Sequence, residues 1–361
     1  MRSRKIHSGK KIFSGRKIIA MLIAVALLLP GCAGRSGGDA GELFLFNWGD
    51  YLCEDVLRDF QRETGIRVHV DFYPSNELMY SKIVQGGSQY DMAIPSDYMI
   101  ERMINEDMLY PLNFDNIPNI RYIDERLMNL EFDPTNEFSV PYMWGTVGIL
   151  YNTTMVHEPV TSFSILWDER FENQIFMYDS VRDSLGITLK MLGYSLNTTN
   201  PDEINRARDK LIEQVPLVLA YADDIIKDHM AAGQGALAVV YSGDAMFATR
   251  LNPDLAFSIP LEGSNRWVDS MVILRGAQNK ENAEKLINFL SSPEIAARNS
   301  EFIGYTTAVR DAVPLLPLEM TQSPIFWATD EEFERLEPFR DLGPEVKRMY
   351  EDAWTQVLIL H

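Results

Sequence analysis

The chain has 361 residues, with 52 acidic against 33 basic side chains and a formal charge of −19. So acidic a balance disfavours nucleic-acid phosphate as a partner, because holding a polyanion requires clustered Lys and Arg. Two cysteines cannot staple a chain of this length, so the fold must stand on its apolar core.

In chain order, a basic start comes first: Arg2, Arg4, Lys5, Lys10, Lys11, Arg16 and Lys17, followed by the unbroken apolar run from Ile18 to Leu29 and then Pro30-Gly31-Cys32. The run is shorter than the roughly 20 residues that cross a bilayer as a helix. Residues 1–31 therefore read as a secretory leader, and the small residue before Cys32 is similar to the cleavage site of a lipoprotein, with Cys32 as the acylated residue. Residues 32–42, rich in Gly and nearly devoid of apolar side chains, read as a flexible tether. Losing the leader removes seven basic and no acidic residues, which takes the charge from −19 to −26. Cys53 is then left without a partner for an intramolecular disulfide.

From Leu43 the chain alternates short β-like runs with amphipathic segments, the pattern of an α/β fold with parallel strands. Strands are expected at 43–47, 67–73 and 91–95, with helices at 54–64 and 76–85 between them. A long β-rich passage, 139–152, contains Gly145 and Gly148 and suits a crossover between two lobes better than a central strand of one sheet. A second series follows, with strands at 174–178, 216–221 and 236–241 and helices at 183–192, 201–214 and 225–232. The strand expected at 267–274 leads into a helix at 280–290 whose apolar positions recur at helical spacing. These elements divide into lobe 1 (43–148 and 268–313) and lobe 2 (149–267 and 314–361).

Aromatic residues recur just after the predicted strand ends, where open α/β sheets hold their ligands. Trp48 and Tyr51 follow the first strand, Ser96 and Tyr98 follow Tyr90-Asp91-Met92-Ala93-Ile94-Pro95, Tyr241 ends Val239-Val240-Tyr241, Trp267 precedes Asp269, and Tyr305 follows Ile303-Gly304. Rings with carboxylates among them suit an aliphatic cation. A ring face attracts an ammonium by about 0.5 to 2 kcal/mol, and a carboxylate neutralises what burial would otherwise penalise. No His-Glu-x-x-His, Gly-x-Ser-x-Gly or P-loop pattern is present to suggest hydrolysis.

These stretches, with Glu63-Thr64-Gly65-Ile66-x-Val68, Ser139-Val140-Pro141-Tyr142-Met143-Trp144-Gly145 and Trp267-x-Asp269-Ser270, resemble the spermidine/putrescine-binding proteins, extracytoplasmic receptors of ABC importers. The resemblance spans nearly the whole chain after the leader. It implies a type II periplasmic-binding-protein fold whose two lobes close on the ligand in a hinge cleft. It also implies a lipid-held, monomeric receptor without catalysis, cofactor or metal, with putrescine or spermidine as ligand and an ABC permease as partner. Carried over residue by residue, it places Trp48, Tyr51, Ser96, Tyr98, Asp183, Asp223, Tyr241, Trp267, Asp269 and Tyr305 at the polyamine, with Ser180, Phe339 and Asp179 as further positions. Ser180 stands where the family commonly has a second aspartate, Tyr241 replaces a tryptophan and Phe339 a glutamine, departures that imply a preference for the shorter putrescine. The alternatives are the same fold binding another small cation or a metal, with Tyr241 and Tyr305 as ligands, and a lipid-anchored hydrolase built on paired carboxylates.

Overall fold

The computed structural model describes residues 41–86 and 89–361. The leader, Cys32 and the tether before Gly41 lie outside the described residues. Among those described, no helix is long and apolar enough to cross a membrane.

The chain starts with parallel strands β1 (Glu42–Trp48) and β2 (Arg67–Tyr73), joined by α1 (Glu54–Thr64). Next come α2 (Asn76–Val84), β3 (Met92–Ala93), α3 (Asp97–Asn105) and the long β4 (Ser139–Asn152). A second series holds β5 (Ile175–Tyr178), α4 (Val181–Met191), α5 (Pro201–Gln214), β6 (Val218–Ala222), α6 (Ile226–Ala231), β7 (Leu237–Tyr241), α7 (Ser242–Leu251) and β8 (Leu255–Ser258). The chain returns through β9 (Arg266–Ile273), α8 (Lys280–Leu290), α9 (Pro293–Ile303) and β10 (Thr306–Thr307). It closes with α10 (Leu318–Thr321), α11 (Asp330–Arg335) and α12 (Gly343–Leu358).

The strand order is β2-β1-β3-β9-β4-β7-β5-β6, with β8 and β10 also on β4. β1 runs parallel to β2 and β3, and β5 to β6 and β7, as the α/β alternation predicts. β4 and β9 depart from it, because every pairing of β4 is antiparallel and β9 is antiparallel to β3. The expected strand at 91–95 shrinks to Met92–Ala93. Its first residue is diverted: Asp91 accepts hydrogen bonds from the backbone of Phe44, Gln278 and Asn279, each at 2.9 Å.

β4 is the crossover that its glycines suggested, and it is also central on both sides of the crossing. Ser139 to Thr146 pair with β9, whereas Val147 to Tyr151 pair with β7, so the ladder changes partner between Thr146 and Val147. Pro141, which has no N–H to donate, coincides with a break in register against β9. One core runs from Phe46, Ile100, Trp144, Val268 and Leu286 on to Phe176, Ile226, Ala238 and Val240 of the second series, and the other lies around Ile149, Leu185, Leu211, Val239 and Trp354. The stretch after residue 314, expected in the second lobe, packs on both cores. Met320 and Phe326 join the first core, and Trp327 and Phe333 cover the buried Trp144 ring at 6.1 and 5.6 Å. Only α12, through Tyr350, Ala353, Trp354 and Val357, closes the second core.

Gly148 allows β8 to lie against β4. A methyl group there would sit 2.4 Å from the Phe257 ring and 2.6 Å from the Ser258 carbonyl oxygen, a backbone atom that cannot step aside. Gly148→Ala is therefore expected to lower stability by about 2 to 3 kcal/mol. Urea unfolding checks this, and an unchanged midpoint would contradict the packing.

Candidate functional site

Three helices begin at the meeting of the two halves, each straight after a strand or its turn, and each carries an aspartate in its first turn: Asp97 in α3, Asp183 in α4 and Asp244 in α7. An acid there complements the positive end of the helix dipole, which is a sufficient local reason for all three. What sets them apart is burial. Asp97, Asp183 and Asp244 are 1%, 5% and 6% exposed, and Asp269 on β9 is 6% exposed.

Asp269 anchors the first half of the site. Its Oδ2 accepts from the Tyr51 hydroxyl at 2.8 Å, while Oδ1 is buried without a partner among the described residues. Burial pushes this carboxyl up to about 6, against the pull of the Ser96 and Tyr51 hydroxyls. Ser96 pairs with Asp269 as an isolated bridge. Asn76 orders that corner, because its Nδ2 lies 3.1 Å from both Ser96 Oγ and the Tyr98 hydroxyl and its Oδ1 accepts from Ser96 N at 3.2 Å. Trp48 donates to the Ile94 carbonyl at 2.8 Å and packs on Tyr73, whose hydroxyl donates to the same oxygen at 2.7 Å. Asp97, pushed to about 8 by burial, is a largely neutral neighbour at pH 7.

The second half presents Asp183 in the same manner. Its Oδ2 accepts from Ser180 at 2.6 Å and from the Tyr241 hydroxyl at 2.9 Å, and its Oδ1 is buried without a partner among the described residues. Burial raises its pKa, while Ser180, Tyr241 and the Arg182 guanidinium oppose the rise. Asp244 is held at about 6 by burial and lies 3.4 Å from the Lys227 ammonium.

Between the two carboxylates the rings form a continuous series. Tyr178 meets Tyr241 at 4.9 Å, Tyr241 meets Trp267 at 6.2 Å, Trp267 meets Tyr305 at 5.0 Å and Tyr305 meets Tyr51 at 6.3 Å, with interplanar angles of 67° to 87°. Gly304 makes the Tyr305 position possible. At φ +86° it ends α9 in the left-handed region and turns the next residue inward. Trp267 Nε1, like the two aspartate oxygens, is buried without a partner among the described residues. Across the junction, Arg340 directs its guanidinium onto Glu101 of α3, with Nε at 3.0 and 3.1 Å from the two carboxylate oxygens, and ties α3 to the segment before α12.

Of the residues expected from sequence, Tyr51, Tyr241, Trp267, Asp269, Tyr305, Asp183 and Ser180 form this series, and Trp48, Ser96 and Tyr98 surround its first-half end. Asp179 and Asp223 do not join it, since both are exposed and Asp223 instead accepts from Ile225 N at 3.3 Å. Phe339 is buried but lies under the Arg182 guanidinium at 4.4 Å, where its ring supports a cation already present. Sequence reasoning missed Tyr73, Asn76, Tyr178, Asp244 and Lys227. Asp244 was findable, as the third helical residue after a strand that ends in Tyr241.

Comparison with known proteins adds findings of three kinds. The family model of the bacterial extracellular solute-binding proteins matches residues 55–334. The chain is 33% identical over 338 residues to the spermidine/putrescine-binding periplasmic protein of Salmonella typhimurium, covering 93% of this chain and 97% of that one. It is 31% identical over 358 residues to the putrescine-binding periplasmic protein SpuD of Pseudomonas aeruginosa, covering 92% and 96%. Among solved structures, the spermidine/putrescine ABC transporter substrate-binding protein PotD of Streptococcus pneumoniae superposes with a TM-score of 0.82 at 39% identity, over 89% of this chain and 99% of that one. The TpPotD lipoprotein of Treponema pallidum gives 0.79 at 28%, over 88% and 99%. The fold is accordingly the two-lobe, type II periplasmic-binding-protein fold.

Proposed function

The chain belongs to the bacterial extracellular solute-binding proteins, and from that premise we propose that it captures a polyamine, putrescine or spermidine, and delivers it to an ABC importer. The observation that carries this reading is the pair Asp183 and Asp269. Each is buried, each keeps one oxygen on a tyrosine hydroxyl and the other bare, and the ring series from Tyr241 to Tyr51 spans the interval between them. An α,ω-diammonium ligand matches both features: its ends take the bare oxygens and its methylenes lie along the rings. The relatives, a spermidine/putrescine-binding and a putrescine-binding periplasmic protein, support the same ligand class. No bond is made or broken. Closure of the two lobes desolvates the cation and creates the form that a permease can recognise.

Within this reading the protein works outside the cytoplasmic membrane as a monomer, held there by acyl chains on Cys32. The leader and the Gly-rich stretch after it support this anchoring. The smaller polar complement favours putrescine. Ser180 spends its hydroxyl on Asp183, and Phe339 offers a third ligand nitrogen no acceptor. Titration of the body after the tether, followed by tryptophan fluorescence and calorimetry, tests both statements. Saturable putrescine binding is expected. Absence of binding by either polyamine overturns the function, and spermidine binding about tenfold tighter overturns the preference.

Affinity also depends on pH in a defined sense. The bound ammonium requires an ionised Asp269, whose carboxyl in the empty protein stands at about 6, whereas alkylammonium groups stay protonated to about pH 10. Through Asp269, affinity is expected to be level above pH 7 and to fall about tenfold for each unit below 6, and protonation of Asp183, also raised by burial, steepens that fall. The stability of the empty protein moves the other way. The folded pKa is raised above the unfolded value, so the stabilising contribution is complete below about pH 4 and is lost as pH rises through 6. Calorimetry at pH 5 and 7.5, with melts of the empty protein, separates the two trends.

A further inference from the structure

Lys227 is not accounted for by the ligand site as described. It lies on α6, its side chain half-buried, with Nζ 3.4 Å from Asp244 Oδ1 and 3.3 Å from Asp224 Oδ2 and its cation 5.7 Å from the Phe247 ring. Asp224 is exposed and Asp244 is buried, so the ammonium is held between an outer and an inner carboxylate. The inner one borders the ring series. The residue before Asp244 is Gly243, whose Cα lies so near Tyr305 that a methyl group would meet the ring at 2.2 Å. The Asp244 charge also helps hold the Tyr305 and Tyr178 hydroxyls protonated, after the larger effect of their burial.

Three ionisable carboxylates therefore ring this interior. Asp183 and Asp269 each have a bare oxygen, and Asp244 has an ammonium supplied by the chain itself. A lysine end is chemically the end of a polyamine, a primary ammonium on a chain of methylenes. The other buried cation nearby, Arg182, donates to the Arg340 carbonyl and to Asn197 and leaves Asp183 Oδ1 free. We propose that Lys227 is a specificity-determining residue: its ammonium fills the place of a ligand nitrogen at Asp244, so that the cleft accepts a ligand with two cationic ends and repels a third charge. This rests on the polyamine reading and explains the preference for a diamine by a charge that is present rather than by acceptors that are missing.

The test is the ratio of spermidine to putrescine affinity, measured by calorimetry for the unaltered protein, Lys227→Met and Lys227→Arg. Lys227→Met keeps an unbranched side chain one atom shorter and removes its charge, and should shift the ratio toward spermidine by about tenfold or more. Lys227→Arg should leave the ratio near its original value. Lys227→Gln is the second uncharged variant and must shift the ratio in the same direction as Met. A ratio unchanged in the uncharged variants overturns the role of Lys227 while leaving polyamine binding in place. Failure of the unaltered protein to bind either polyamine overturns the function on which it rests. A purely structural role for Lys227 would weaken both ligands alike, leave the ratio where it was, and so also count against the proposal.

Discussion

Asp269→Asn is expected to weaken putrescine binding by two orders of magnitude or more and, at pH 7.5, to make the empty protein more stable. Removing one member of a buried ion pair costs about 3 to 5 kcal/mol, because the partner charge is left unneutralised in a dry site. The structure supplies the reason for the second half of the expectation. In the empty protein Asp269 is itself the uncompensated charge, buried and displaced upward to about 6. Asparagine has the same shape, retains an oxygen for the Tyr51 hydroxyl and carries no charge, so the folded state is relieved by about 1 to 3 kcal/mol. Calorimetry and thermal melts give the two numbers. Affinity reduced less than about tenfold would mean that Asp269 does not hold an ammonium, and a fall in both quantities would mean that its role is structural.

Gly243→Ala is expected to weaken binding by about ten- to a hundredfold with little loss of secondary structure. The added methyl group would lie 2.2, 2.4 and 2.6 Å from Cε1, Cδ1 and Cζ of Tyr305. That ring has nowhere convenient to go. Its backbone is fixed by Gly304 and by the Ser300 hydroxyl on its carbonyl oxygen at 2.5 Å, and its other side faces Trp267 at 5.0 Å. Overpacking of this kind costs about 1 to 3 kcal/mol, here drawn from the ligand surface rather than from the helix, where alanine is the better residue. Putrescine titration beside far-ultraviolet circular dichroism separates the two. Unimpaired affinity would show that Tyr305 contributes nothing to the ligand surface.

Much of the framework can be read from the residues because its elements advertise one buried face. The helices Glu54–Thr64, Pro201–Gln214 and Lys280–Leu290 and the strands Arg67–Tyr73 and Ser139–Asn152 have the bounds that periodicity predicts. α3 and α7 are less legible, because each starts directly at a strand end or its turn, and in α7 buried residues occupy most positions, which blurs the helical period. Position beside a strand end is enough to single out Tyr241, Trp267, Tyr305 and Tyr51, whose rings meet in the structure. Asp223 and Phe339 lie apart from the ring series, since a loop acid can turn outward and a ring can support an arginine without any change in spacing. The approach of Lys227 to Asp244 links α6 to α7 across β7, and no local pattern announces a meeting of that kind.

The partner change within β4 has a consequence for dissection of the molecule. Many hinged proteins can be cut at a linker to yield two fragments that fold alone, but here the connection is itself the middle plank of both floors. Severing the chain between Thr146 and Val147 would leave unpaired rows of amides and carbonyls in each piece, and such rows recruit neighbouring chains. Fragments made this way should precipitate separately, and soluble material should come only from producing them together.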